Sequence, residues 1–88
     1  MNSQYKVGSR VYCGASWCRS FGTIISFYEN FEACVKSSTM STESFMEKQF
    51  FPIYDTSLPW IKIHTRKGNV VYSQLHINEN MNEWKLEV

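Results

Sequence analysis

Several short stretches of this chain alternate apolar and polar residues with a period of two, which puts one set of side chains on each face of a β-strand. In Val7-Gly8-Ser9-Arg10-Val11-Tyr12-Cys13, Val11 and Cys13 share a face. Phe21 to Tyr28 is a β-branched and aromatic run, with Thr23, Ile25 and Phe27 on one side and Ile24, Ser26 and Tyr28 on the other. Trp60 to Thr65 sends Ile61 and Ile63 inward and Lys62 and His64 outward. Arg66-Lys67-Gly68-Asn69 reads as a hairpin turn, because Gly68 and Asn69 tolerate positive φ. Val70-Val71-Tyr72 is its returning strand, and Trp84, Leu86 and Val88 alternate against Lys85 and Glu87 as a closing strand. Phe31, Ala33 and Val35 also alternate, against Glu32, Cys34 and Lys36, and admit a further partner strand.

One segment breaks this rhythm. Ser37 to Thr42 is rich in hydroxyl residues and has loop composition. Ser44 and Glu47 then stand at capping-box spacing, with Thr42 as a competing cap. Phe45, Met46, Phe50 and Phe51 supply an apolar face, and Pro52 stops the helix. The expectation is one short helix inside a long insert over residues 34–58.

In this order the phrases resemble small SH3-like barrels of the KOW and Tudor type. Val7-Gly8-Ser9-Arg10-Val11 is similar to their opening strand, and Phe21-Gly22-Thr23-Ile24-Ile25 to their second. Trp60-Ile61-Lys62-Ile63, with Gly68 and Val70 to Tyr72, is similar to their central hairpin. Tyr72 to His76 resembles the 3₁₀ turn before their last strand. The resemblance implies a mainly β, five-stranded SH3-like barrel over residues 1–88, departing from the family in the 34–58 insert. Loops this long inside a compact domain are uncommon and often functional. In size and composition the chain also resembles phage or plasmid accessory proteins, including anti-CRISPR and other anti-defence inhibitors.

Composition narrows the picture. Eighty-eight residues make one domain with a small core. Hydrophobic residues at 43% against 19% charged exclude a disordered chain, and no apolar run approaches the ~20 residues of a membrane-spanning helix. The three cysteines, Cys13, Cys18 and Cys34, are an odd number, which argues against a closed disulfide framework. Met1 to Lys6 is polar and has no signal-like character. Both features favour a reducing, cytoplasmic setting. A Cys13–Cys18 or Cys13–Cys34 bridge is the competing reading.

The net charge of +1 conceals a strong division. Lys6, Arg10 and Arg19 make residues 1–28 purely basic, and Lys62, Arg66 and Lys67 do the same for residues 56–77. The acids lie in residues 29–55 and 78–88. Such asymmetry concerns partners rather than fold.

No arrangement of residues names a reaction. Cys13, Cys18, Cys34, His64 and His76 do not complete a zinc-binding spacing. A Cys18–His pair lacks any sign of activation, and the four glycines are scattered as turn markers. The expectation is a non-enzymatic protein without cofactor or metal.

Two binding chemistries remain. Fourteen aromatic residues exceed what so small a domain can bury, so some face a partner. Trp17, Arg19, Tyr28, Phe31, Met46 and Tyr54 are candidates for a surface that occupies another protein or a ribonucleoprotein complex, as an inhibitor or accessory protein does. The alternative is RNA or single-stranded DNA. Basic side chains for phosphates interleaved with aromatic faces for bases point to Lys6, Arg10, Tyr12, Lys62, Arg66 and Lys67. No membrane partner is expected, and a monomer and a homodimer both fit.

Overall fold

The computed structural model describes residues 4–14, 20–48 and 57–87, with the backbone alone at 46–48. Strands β1 (Arg10–Cys13), β2 (Phe21–Tyr28), β3 (Trp60–Thr65), β4 (Val70–Gln74) and β5 (Trp84–Leu86) form one antiparallel sheet in the order β4-β3-β2-β1-β5. The sheet curls into a half-barrel. Helices α1 (Phe31–Ser38) and α2 (Thr42–Lys48) lie between β2 and β3, and a 3₁₀ turn (Glu79–Met81) precedes β5.

Alternation places the first core inside the curl. Val11, Cys13, Ile24, Ile61, Ile63 and Trp84 are buried there with Tyr5 and Leu75. The Tyr5 hydroxyl donates to the Trp84 carbonyl at 3.0 Å, tying the N-terminal segment to β5. Buried Asn82 accepts from the His76 backbone N–H at 2.7 Å and so holds the chain between β4 and β5. The β3–β4 turn is as read, with Gly68 at φ +89°. The 3₁₀ turn corrects the expectation for Tyr72 to His76: Tyr72 to Gln74 complete β4, Leu75 and His76 lead out of it, and the turn comes later.

Phe31 to Lys36 is helical, which corrects the partner-strand reading. Asn30 is the N-cap and accepts from the Ala33 N–H at 2.9 Å. Phe31 and Cys34, three residues apart, share the buried face, while Glu32 and Lys36 sit at the ends the helix dipole favours. The insert thus belongs to two helices rather than one. The α2 cap is Ser41, whose hydroxyl oxygen accepts from the Ser44 N–H at 3.1 Å, in place of Ser44 or Thr42. The predicted face residues Phe50 and Phe51 and the stop at Pro52 lie outside the described residues.

These helices build a second core on the outer side of the sheet. Phe31, Cys34 and Phe45 close over Trp60 and Tyr72. The Phe45 ring lies 5.5 Å from Trp60 and 5.1 Å from Tyr72, and Phe31 lies 5.6 Å from both Phe45 and Trp60. Tilted and edge-on aromatic pairs of this kind add about 0.5–1.5 kcal/mol each beyond area burial. Burial pushes the Cys34 thiol up to about 12, against the opposing pull of Lys62.

A bulge lets β2 serve both cores. Ile24 opposes Ile63 and Ser26 opposes Lys62, leaving Ile25 as the extra residue. Beyond it, Phe27 opposes Ile61 and Tyr28 opposes Trp60. The sequence alternation through Ile25 and Phe27 is therefore broken at this point.

Cys13 is disulfide-bonded and Cys34 is a buried free thiol. The bond at Cys13 agrees with the competing reading of a single bridge rather than with a fully reduced set. The remaining cysteine, Cys18, lies outside the described residues.

Three outcomes follow from this packing. A Cβ on Gly22 would stand 2.5 Å from Ile63 Cγ2 and 2.9 Å from the His64 carbonyl oxygen. Gly22→Ala is therefore expected to cost roughly 2–3 kcal/mol, read as a Tm lower by about 10–20 °C. Thr39, the α1 C-cap, is held at φ 60°, where a β-branched residue is strained. Thr39→Gly is expected to stabilise by about 0.5–1 kcal/mol in chemical denaturation. Mass-spectrometric mapping after alkylation at pH 8 should find Cys34 unmodified in the native protein and fully modified in denaturant.

Candidate functional site

The helices cover only part of the outer side of the sheet, around Trp60 and Tyr72. The part formed by β5, β1 and the ends of β2 and β3 carries the polar and aromatic residues that alternation turns away from the first core. Register sets them in rows. Lys85 opposes Tyr12 and Tyr12 opposes Phe21. Arg66 continues that row, its backbone N–H donating to the Phe21 carbonyl at 3.0 Å. The next row runs from Arg10 through Thr23 and His64 to Val70.

Tyr12 and Phe21 expose 39% and 43% of their surfaces, well above core values. The Arg66 guanidinium carbon lies 4.9 Å from the Phe21 ring centroid, a cation–π contact on an open surface. Glu87 follows β5, its N–H donating to the Arg10 carbonyl at 2.9 Å. Its two carboxylate oxygens lie 3.8 Å from Arg10 Nε and 3.8 Å from Arg66 Nη2. Lys62 sits at the border with the helical layer, its Nζ 5.9 Å from the Tyr72 ring centroid. Burial raises the Tyr72 phenol above its ordinary range, and the Lys62 ammonium opposes that rise. Lys85 Nζ donates to the Glu79 and Asn80 carbonyls at 3.1 and 2.8 Å. A cavity of about 420 Å³ opens beside Tyr12, lined also by Gln4, Glu79, Asn80 and Lys85.

The structure thus gathers Arg10, Tyr12 and Arg66 on one surface and sets Lys62 at its margin. Lys67 is exposed in the adjoining β3–β4 turn, and Lys6 is exposed in the turn before β1, where Ser9 N–H donates to the Lys6 carbonyl at 2.9 Å. The other candidate set does not assemble among the described residues. Phe31 is 7% exposed and packs in the aromatic core, where it also lines a surface cavity between the helices, and half-buried Tyr28 packs against the same core. Trp17, Arg19, Tyr54 and the side chain of Met46 lie outside the described residues.

Sequence reasoning missed Phe21, His64, Lys85 and Glu87 as members of this surface. Phe21 and His64 were open to inference from strand parity. Glu87 was not, because its partners are 77 and 21 positions away in the chain.

Among the described residues, no three His, Cys, Asp or Glu side chains come together as a metal site, and no helix is long and apolar enough to cross a membrane. No protein family, curated protein or solved structure matches this chain.

Proposed function

We propose that this chain is an SH3-like binding domain, without catalytic activity, that takes single-stranded nucleic acid on the exposed outer part of its sheet. The barrel assignment is supported by strand order: β1 to β4 form a meander, and β5 returns beside β1 after a 3₁₀ turn. The functional reading rests on one observation. Arg10, Tyr12, Phe21 and Arg66 are register neighbours on one open surface.

The chemistry follows from that adjacency. Guanidinium groups pair with phosphates, and exposed aromatic rings stack on unpaired bases. Duplex bases are already stacked on one another, so rings on a sheet surface select single strands. Lys6, Lys62 and Lys67 add positive charge around the surface, and the acidic residues Glu29, Glu32 and Glu43 belong to the helical side of the chain. Glu79 and Glu87 also lie at this surface, so the attraction for a polyanion is local to the arginines and the lysines around them and leaves the whole molecule nearly neutral.

Fluorescence anisotropy with labelled 12-nucleotide oligo(U) and oligo(dT) tests this. With three or four phosphates engaged, affinity should fall roughly 15- to 60-fold between 50 and 200 mM salt. Tyr12→Ala should cost about 1–3 kcal/mol at fixed salt through lost stacking, and Arg10→Gln should flatten the salt dependence. Absence of oligonucleotide binding overturns the proposal. So does capture of a protein partner that survives both nuclease and high salt while oligonucleotides do not compete.

A further inference from the structure

We infer that Arg10 and Arg66 form a phosphate seat that Glu87 fills in the unliganded protein, and that a nucleic-acid phosphate displaces Glu87 and takes its place beside the Phe21 ring. This inference rests on the nucleic-acid reading above and names the event by which a phosphate enters the surface.

The geometry is that of a carboxylate divided between two guanidinium groups. One Glu87 oxygen faces Arg10 and the other faces Arg66, both at 3.8 Å. The two arginines come from different parts of the fold, one from β1 and one from the turn after β3. Each is the partner of the same acid, which stands where a bridging anion with two or more oxygens would stand.

The seat adjoins an aromatic ring. The Arg66 guanidinium carbon lies 4.9 Å from the Phe21 ring centroid, and Phe21 keeps 43% of its surface exposed. An anion arriving at Arg10 and Arg66 competes with Glu87 directly, and a base attached to it reaches the open part of the Phe21 ring.

Displacement is feasible because the contact is weak. The arginine side chains are 63% and 56% exposed and the distances are long, so water and salt screen both pairs. A phosphate diester in a polymer brings its neighbours with it and releases counterions on binding, which a single tethered carboxylate does not.

Glu87→Gln removes the competing charge and keeps the shape. Oligo(U) should then bind about three- to tenfold more tightly than to the wild type at the same salt. The gain should vanish in an Arg10→Gln/Arg66→Gln background, where there is no seat to free. In NMR spectra of the wild type, oligo(U) should shift the Arg10 and Arg66 Nε–Hε signals together with the Phe21 ring protons. Unchanged or weaker binding by Glu87→Gln, with wild-type binding intact, overturns the displacement while leaving the functional reading in place. A gain that persists without the two arginines overturns it too, because the effect is then one of net charge alone. If no oligonucleotide binds either protein at 50 mM salt, the functional reading fails. In that case, inorganic phosphate shifting both Arg Nε–Hε signals, more strongly in Glu87→Gln, supports the anion seat by itself. Silence there overturns the seat as well.

Discussion

The approach of β2 to β3 at Gly22 is the constraint on which the rest of this fold depends. Gly22 lies in the ladder between Val11 and Thr65, on the side where Ile63 fills the interior, and no Cβ fits between it and that side chain. The missing side chain lets Ile63 pack beneath the backbone of β2 while the ladder remains closed. Because β2 is the middle strand of five, this position joins the β3–β4 hairpin to β1 and β5. The curl of the sheet, and with it the enclosure of Trp84 and Leu75, needs both halves held at this distance.

A sheet this small has two faces and little chain with which to cover them. The interior face is filled by its own alternating residues. The outer face receives an aromatic layer from α1 and α2 only near Trp60 and Tyr72. What remains open is a region rich in cations and rings, bounded on one side by the helical layer and on the other by the 3₁₀ turn that Lys85 anchors. The candidate site is therefore a remainder of the packing: the part of the outer face that two short helices do not reach.

The strands were readable because a period of two persists through Trp60–Thr65 and reappears at Trp84 and Leu86. The first helix was not, because Phe31, Ala33 and Val35 satisfy a strand pattern over so few residues, and the choice was made by Asn30 and by the i, i+3 pair Phe31 and Cys34. The shift of parity in β2 left no mark in the sequence, since Ile25 is identical to Ile24 beside it. At the site, the basic and aromatic residues were legible as two separate segments, and antiparallel pairing through β2 brought them together. The packing of Phe31 was not legible for the opposite reason: an aromatic residue looks the same whether a helix buries it or a loop displays it. The bond at Cys13 was hidden by an odd cysteine count, which speaks against a closed framework but not against a single bridge.

The single extra residue at Ile25 acts on β2 as a frameshift acts on a message. Upstream of it, Gly22 and Ile24 are buried on the side of the first core; downstream, Tyr28 packs against the helical layer and Phe27 is exposed. The two cores are thereby written in different phases of one strand. Loss of one residue here would turn Tyr28 away from the helical layer. Beyond the glycine at 22, it is the length of this strand that carries the message.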